Sequence, residues 1–555
     1  MPKLPLERRD FLKAAAAAAA AGAACPAALF AADSAATGPT AMLDSAPERA
    51  AAALIRPQQQ GPPPVPLGNG EHPALIYQAY PGGTGALYEK WHREGVDPFQ
   101  RTPIDVPGWQ GAVPTHEEDI AFLPVHRLSA LIRDRHMSSV DLTELYLARL
   151  ERYNPTLNCA VTILAGHARE EAQQADADLR VGNYKGPLHG VPYGVKDLFS
   201  VRGAPTTWGS AAFADRQIHE DADLVVRLRE AGAVLLAKLA TGEFAQGDQW
   251  YRGRTNNPWN IAEGSSGSSA GPGSATAGGC VGFAIGTETQ GSIVSPSRRT
   301  GLSALRPTFG RVTRAGAMVL SWSMDKAGPM CRSIEDCALV FNTIHGASDK
   351  DPSSITAPFA FDRRPDLSAM RIGFTEDAPK AFLDGLEAVG ARLREINPIP
   401  RGGSNALNVE SASAFDFYVA PDGVEPEPLP EGLSNEERRR RGRFRGGRDV
   451  RGMDYVASQR RRLLLMNEMA EAMEGFDMFV SGSGEVGLTN QTGHPAAIVP
   501  YGFGPRNPDA DRPTVMPLTT TLIGDLFADD KILSVAHAYQ ASTDWHLRRP
   551  DMSYG

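Results

Sequence analysis

The chain has 555 residues, of which 42% are hydrophobic and 22% are charged, and its formal net charge is −9. This composition is typical of a soluble globular protein with a large core, and the negative charge argues against a nucleic-acid-binding or anionic-membrane-binding role. Its five cysteines are too few for a disulfide scaffold in a protein of this length.

The N-terminal segment predicts export. Arg8 and Arg9 precede the weakly hydrophobic alanine run from Ala14 to Ala24, a pattern typical of a twin-arginine signal. The run is short for a membrane span, and small residues follow it, which favours cleavage at about residues 31–36 over anchoring. We therefore predict a signal peptide over residues 1–36 and a periplasmic or extracellular protein without stable membrane insertion.

Composition predicts the organisation of the rest of the chain. Residues 37–70 include a proline-rich stretch with little capacity to form a core, and they are predicted to be a linker. Residues 71–118 form an N-terminal extension to which the sequence assigns no role. One domain is predicted over residues 119–555, with a divergent charged insertion at about 351–449. Within that insertion, the arginine-rich run at 438–451 resembles an RNA-binding segment, but the acidic stretch before it favours a solvated, charge-balanced loop.

Helical and strand patterns alternate along this domain. Behind a serine cap at Ser139, apolar residues recur at helical spacing, and this helix is predicted to end near Asn154. Short apolar runs at 191–195, 234–238 and 281–285 are typical of buried strands. The alternation predicts an α/β fold in which a mixed central β-sheet is covered by helices on both sides.

Lys196 lies in an apolar, strand-like run within the segment GVPYGVKDLFS, which extends from Gly190 to Ser200. Burial disfavours a charged ammonium, so it would lower the lysine pKa and make the amine a base. Considered alone, Lys196 would be interpreted as a surface lysine with a buried aliphatic stem.

A glycine- and serine-rich tract from Gly264 to Pro307 supplies candidate nucleophiles. A flexible linker is the usual interpretation of such a tract, but a linker would not continue into the apolar run VGFAIG. Ser292 follows a glycine, which leaves its hydroxyl accessible. The backbone amides that could converge as an oxyanion hole belong to Thr289, Gln290, Gly291 and Ser292. The pattern G-x-S-x-G around Ser269 also fits a nucleophile elbow, but no strand-like run precedes it.

Together these motifs resemble the amidase signature family, in which a Ser, cis-Ser, Lys triad is the hallmark. The family's lysine motif corresponds to residues 190–197, its GGSSGGSA motif to 263–270, and its nucleophile motif to 286–296. Further similar segments follow in the expected order, so the resemblance extends from about Ile120 to Pro550. It implies a single amidase-signature domain in which Ser292 is the nucleophile.

The resemblance assigns the remaining triad roles and also shows departures. It implies that Ser265 relays a proton between Ser292 and Lys196, with a cis peptide bond before Ser265. Glu288 stands where an aspartate is usual. Gln290 replaces a glycine and Val294 an arginine, and the interval between the serine motifs is longer than usual.

Family members hydrolyse amides, so the resemblance implies cleavage of a carboxylic amide C–N bond through an acyl-enzyme on a serine. An esterase or carbamate hydrolase with the same triad and a catalytically silent binding relative remain alternatives. No metal or other cofactor is expected, because the histidines are scattered and no phosphate-binding glycine motif follows a strand. The expected partner is a small amide, and export disfavours the family's tRNA-dependent branch. The substrate's identity and the oligomeric state stay open.

Overall fold

The structure is a computed structural model that describes residues 79–81, 83–396, 398–420, 429–433, 438, 442, 444–505 and 514–554. The chain divides into two units, Met1–Gly61 and Pro62–Gly555. The first unit lies outside the described residues, as do the predicted signal peptide and linker, and the following description concerns the second unit alone.

Strands of the described residues, in chain order, are β1 Ala160–Ile163, β2 Pro192–Lys196, β3 Val234–Leu239, β4 Gln249–Trp250, β5 Gly253–Arg254, β6 Asn256–Asn257, β7 Asn260–Gly264, β8 Phe283–Glu288, β9 Ser303–Arg306, β10 Lys326–Cys331, β11 Ile372–Phe374, β12 Leu393–Glu395, β13 Met478–Ser481, β14 Ala496–Pro505 and β15 Val515–Gly524. In the described part of the chain, eleven of them form one sheet in the order β1-β3-β2-β8-β10-β9-β14-β15-β13-β11-β12. β2 pairs in parallel with both β3 and β8, whereas β8 pairs antiparallel with β10, so the sheet is mixed as predicted.

The helices described are α1 Gly83–Arg93, α2 Glu117–Ala121, α3 Val125–Arg133, α4 Ser139–Leu157, α5 Ala165–Arg180, α6 Asp223–Glu230, α7 Ala270–Ala277, α8 Val294–Thr300, α9 Ile334–Ile344, α10 Lys380–Ala388, α11 Ala406–Ala414, α12 Asp416–Val419, α13 Gly452–Ala472, α14 Val486–Thr492 and α15 Asp529–Ala541. Helices pack along the sheet: α7 lies against β8, α9 against β10, and α15 against β14 and β15. The predicted α/β fold with a mixed central sheet flanked by helices is confirmed. Across the described ranges, no helix has the length and apolarity that a membrane span needs.

Local sequence features explain the composition of the strands and the ends of the helices. β2, β3 and β8 are almost wholly buried, so their sequences are apolar runs without alternating polar residues. The side chain of Ser138 caps α4 by accepting the N–H of Asp141 at 2.9 Å, one residue before the predicted cap. The helix continues past Asn154 and includes Pro155, and it ends where Asn158 takes a left-handed φ of 50°.

The described parts of the N-terminal extension and of the insertion both pack against the rest of the domain. The rings of Tyr80 and Trp91 contact that of Phe527 at angles of 56° and 82°, with centroids 4.9 and 5.4 Å apart, so part of the extension packs near the C-terminus. Strands β11 and β12, within the predicted insertion, extend the central sheet in parallel from β13. Phe444 is buried against Phe415, with 4.5 Å between the ring centroids. The arginine-rich run was predicted to be a solvated loop, but this residue of it is not solvated.

Candidate active site

Lys196 ends β2, the third strand from one edge of the sheet, and its side chain is fully buried. Its Nζ donates to Ser268 Oγ at 2.8 Å and to Thr287 Oγ1 at 2.8 Å. Burial lowers the pKa of Lys196 well below its usual value, although the nearby carboxylates of Asp325 and Glu288 act in the opposite direction. A depressed pKa is what a lysine needs to act as a base near neutral pH.

Ser268, rather than Ser265, lies against the lysine. The Ser265 hydroxyl donates to the backbone oxygen of Ser266 at 3.1 Å and makes no hydrogen bond with Lys196 in the described part of the structure. The cis peptide bond joins Gly267 to Ser268, so the prediction of a cis bond before Ser265 was wrong. The serine that would relay a proton is therefore displaced three positions from the predicted one.

Hydrogen bonds from Ser269 explain why the residues around Ser268 contact the segment that carries Ser292. The backbone N–H of Ser269 donates to the Ser292 oxygen at 3.2 Å. Its hydroxyl accepts from the N–H of Thr287 at 3.1 Å and donates to the Thr287 oxygen at 3.0 Å. A Cβ at position 267 would lie 1.9 Å from the Gly247 oxygen, so only glycine permits this close approach. Ser268 is consequently held between Lys196 and the segment that carries Ser292.

One sequence signal could have found Ser268. The letters GSS occur twice, at 264–266 and 267–269, and α7 begins directly after the second copy at Ala270. Choosing the second copy shortens the interval to Ser292 by three residues, in the direction that the unusually long interval between the serine motifs requires. The nucleophile-elbow interpretation of Ser269 is not supported, because its hydroxyl is engaged on both sides by Thr287.

Ser292 lies in the turn between β8 and α8, and it is half-buried. Gly291 adopts a φ of 96°, a left-handed conformation that favours glycine. The N–H groups of Gln290, Gly291 and Ser292 donate to no acceptor among the described residues. The turn therefore presents free donors beside a hydroxyl group, as an oxyanion hole requires, and the assignment of Thr289, Gln290, Gly291 and Ser292 to such a hole stays a prediction.

The side chain of Glu288 stabilises this turn through hydrogen bonds and an ion pair. Its buried carboxylate accepts the N–H groups of Ile293 and Val294, both at 2.8 Å, and the side-chain amide of Asn490 at 2.7 Å. Arg306 Nη1 pairs with it at 3.1 Å. Burial alone would raise the pKa of Glu288, but Arg306 and these hydrogen bonds hold it below its usual value. Although Val294 carries no charge, the turn keeps an internal ion pair.

Thr289 is anchored on the opposite side by a second buried carboxylate. Its Oγ1 donates to Asp325 Oδ1 at 2.6 Å, while Asp325 Oδ2 accepts the N–H groups of Leu320 and Ser321 at 2.8 and 3.0 Å. Burial raises the pKa of Asp325. Asp325 and Glu288 thus fix the turn before and after Ser292, respectively.

A cavity of about 1050 Å³, called here the Gln290 cavity, adjoins this turn. Val486 lines it, and the Val486 Cγ1 atom lies 3.2 Å from the position that a Cβ on Gly291 would occupy. The other described residues that line it are Gln290, Thr375, Glu376, Asp377, Glu395, Ile396, Pro398, Ile399, Pro400, Arg401, Gly402, Ser483, Glu485, Gly487, Leu488 and Gln491. The cavity provides room for a substrate next to the candidate nucleophile.

Histidine and acidic side chains show no metal-binding arrangement in the described ranges. Three histidines with candidate packing or hydrogen-bonding roles each have a local partner: His126 bonds Asp336 at 3.0 Å, His189 the oxygen of Ala175 at 2.9 Å, and His494 Thr492 at 2.8 Å. The absence of a cofactor from the reaction stays a prediction.

Two family models match the chain. Residues 141–486 match the model described as Amidase, and residues 5–24 match the twin-arginine translocation pathway signal sequence. The second match confirms the predicted export signal.

Among curated proteins, the chain is 31% identical over 499 residues to a subunit of the glutamyl-tRNA(Gln) amidotransferase of Marinomonas sp. (strain MWYL1), covering 78% of this chain and 99% of that relative. The corresponding protein of Methylococcus capsulatus is 32% identical over 483 residues, with 76% and 97% covered. Among solved structures, an amidase family protein from Bacillus anthracis str. Ames superposes with a TM-score of 0.66 at 26% identity, covering 78% of this chain and 93% of that one. The native peptide amidase from Stenotrophomonas maltophilia gives 0.64 at 26% identity, with 78% and 98% covered.

Proposed function

The chain belongs to the amidase signature family, and from that premise we propose that it is an exported amide hydrolase that forms an acyl-enzyme on Ser292. Ser268 and Lys196 serve as the proton relay, with Ser268 in the role that the sequence had suggested for Ser265. The observation that carries this proposal is the 2.8 Å hydrogen bond from the buried Lys196 to Ser268, whose neighbour Ser269 bonds the backbone of Ser292.

In the first half-reaction, neutral Lys196 takes the hydroxyl proton of Ser268 while Ser268 takes that of Ser292. The Ser292 oxygen attacks the carbonyl carbon, and the carbonyl oxygen becomes an oxyanion held by backbone N–H groups of residues 289–292. The C–N bond then breaks, and the departing nitrogen receives the proton that the relay had removed. An ester links the acyl group to Ser292, and free amine leaves.

In the second half-reaction, water takes the place of the amine. The relay, with Lys196 again neutral, accepts a proton as the water oxygen attacks the ester carbon. Collapse of this intermediate breaks the bond to Ser292, which regains its proton, and the carboxylic acid is released. Every proton taken by Lys196 is thus returned within the cycle, and the balance of atoms and electrons needs no further reactant.

Three other functions compete with this one. Esters and carbamates would react through the same relay. A binding protein without activity is motivated by Gln290, which stands where the family motif has glycine. The curated relatives are subunits of tRNA-dependent amidotransferases, but an export signal at residues 5–24 separates this chain from the charged tRNA and ATP of the cytoplasm.

Labelling with a fluorophosphonate tests the proposal. We expect a covalent adduct on Ser292, located by mass spectrometry of the digested protein, and none in Ser292→Ala. A panel of matched amides, esters and carbamates then ranks the substrate classes, with amides expected to give the highest kcat/KM relative to their uncatalysed rates. Folded protein that takes up no label would support the binding function instead, and an adduct on Ser269 would contradict the choice of nucleophile.

A further inference from the structure

The wall of the Gln290 cavity has an unbalanced charge. Four carboxylates line it, from Glu376, Asp377, Glu395 and Glu485, against a single described cation, Arg401. A concave surface with one dominant sign of charge concentrates ligands of the opposite sign. Its charge alone, however, does not establish a binding site.

The acidic residues differ in how far local structure explains them. Asp377 accepts hydrogen bonds from Thr375 Oγ1 and from the N–H of Ser483, so it has a structural role in shaping the wall. Glu376 and Glu395 are exposed, and neither forms an ion pair with any residue that the structure describes. Their charges face the cavity without a partner from the described chain.

A buried amide supplies a separate indication of a ligand. Gln491 is only 8% exposed and lines the cavity. Its Oε1 accepts the N–H of Ser404 at 2.6 Å, which fixes the side chain, whereas its Nε2 donates to no described residue. A positioned donor without an acceptor favours a ligand that carries a carbonyl or hydroxyl oxygen.

Gln290 connects this cavity with the chemistry. It is exposed, it lines the cavity, and only Gly291 separates it from Ser292. Its side-chain amide forms no hydrogen bond with the described residues, so its donor and its acceptor are both available to a bound substrate. A substrate acylating Ser292 would therefore extend past Gln290 into the acidic cavity.

We propose that the Gln290 cavity is a substrate subsite that selects amides carrying an ammonium or guanidinium group together with a further hydrogen-bond acceptor. This inference rests on the proposed function, because it concerns the substrate of the same Ser292 centre. Glu376, Glu395 and Glu485 attract the cation, Gln491 donates to the acceptor, and Gln290 lies between the cavity and the reacting carbonyl.

Three fluorophosphonates of equal length test the proposal on the mature protein, with tails ending in a primary ammonium, a methyl group or a carboxylate. We expect the ammonium probe to label Ser292 about tenfold faster than the methyl probe and the carboxylate probe to be slowest. The triple variant Glu376→Gln, Glu395→Gln, Glu485→Gln should bring the ammonium-to-methyl ratio to about one. Salt should reduce the wild-type ratio in the same direction.

Glu144→Gln is a surface control, because Glu144 is a carboxylate on α4 whose side chain is 45% exposed and which lies outside the cavity lining. If this variant lowered the ratio as much as the triple variant does, the net charge of the protein and not the cavity would be responsible, and the proposal would be overturned. Equal labelling by all three probes in the wild type would overturn it as well. Both results would leave hydrolysis at Ser292 intact, whereas a failure of every probe to label folded protein would contradict the proposed function itself.

Discussion

A shift of three positions separates the serine that the motif indicated from the serine that meets the lysine. Ser265 and Ser268 both follow a glycine in the same tract, and both are almost fully buried. Only Ser268 receives the Lys196 hydrogen bond. Because a relay requires hydrogen-bond contact, geometry distinguishes two residues that composition does not.

Substitution of each serine separates their roles. We expect Ser268→Ala to lower kcat by about a hundredfold to ten-thousandfold, the usual contribution of a positioned proton-transfer group. Ser265→Ala should change kcat by less than about threefold, because its hydroxyl only donates to the Ser266 oxygen. Both variants should keep the wild-type circular dichroism spectrum. Equal losses in kcat would show that Ser268 has no special part in proton transfer.

The depressed pKa of Lys196 predicts a pH profile. Protonated Lys196 cannot accept a proton, so kcat/KM should rise with pH along a limb set by a lysine pKa well below its usual value. Lys196→Ala should abolish both the rate and the limb. Lys196→Arg should fail too, since a guanidinium keeps its proton, while Lys380→Ala on the surface should leave the profile unchanged. Substantial activity in Lys196→Arg would mean that the lysine acts only as a fixed charge.

At the scale of elements, the turn between β8 and α8 depends on the carboxylate of Glu288. That group satisfies two N–H groups at the start of α8 and the buried guanidinium of Arg306. A glutamine in its place could accept only at its oxygen, while its NH₂ group would face existing donors. The shape of the turn that carries Ser292 thus depends on one buried charge.

We expect Glu288→Gln to reduce the free energy of unfolding by about 3 kcal/mol or more, because it leaves Arg306 buried without its counter-charge. Under conditions where the variant remains folded, the rate of fluorophosphonate labelling should also fall, with kcat more affected than KM. Urea unfolding and labelling kinetics measure the two effects. Glu144→Gln, which removes the solvent-accessible partner of Arg169, should alter neither quantity appreciably. An unchanged labelling rate in folded Glu288→Gln would contradict the positioning role.

Local patterns predicted the elements whose signal is local. The runs that became β2, β3 and β8 are apolar because both faces of these strands are covered. β11 and β12 were not predicted, since each has only three residues and forms by pairing within the sheet. The sequence also failed to separate Ser265 from Ser268, because the two copies of GSS are locally alike. Only contacts with Lys196 and Thr287 distinguish them.

On the scale of the whole molecule, distant segments meet in ways that no local pattern indicates. The extension that could not be placed packs Tyr80 and Trp91 on Phe527, more than 400 positions along the chain. The candidate site also combines Lys196 with a turn almost a hundred residues later and a cavity wall beyond residue 375. The family resemblance implied that a lysine and two serines come together. It did not predict the acidic wall of the cavity, most of whose carboxylates lie in the divergent interval.

Export is a property of the whole chain that can be tested directly. Replacing Arg8 and Arg9 by lysine should retain the precursor in the cytoplasm, because the twin-arginine pathway recognises that pair. Cell fractionation with immunoblotting measures the distribution, and the Lys3→Arg variant, outside the pair, serves as a control. Undiminished mature protein outside the cytoplasm in the double-lysine variant would exclude this route.

The order of these parts along the chain has an evolutionary consequence. Lys196, Ser268 and Ser292 all precede the end of β10, whereas most of the Gln290 cavity is formed by residues 375–402 and 483–491. If the cavity selects substrates as proposed, a recombination event between relatives with its crossover after β10 would exchange that selectivity while leaving Lys196, Ser268 and Ser292 in place. Asn490 limits this freedom because it bonds Glu288 across that boundary. We therefore expect a hybrid to keep the geometry of the turn best when its partner carries an amide at that position.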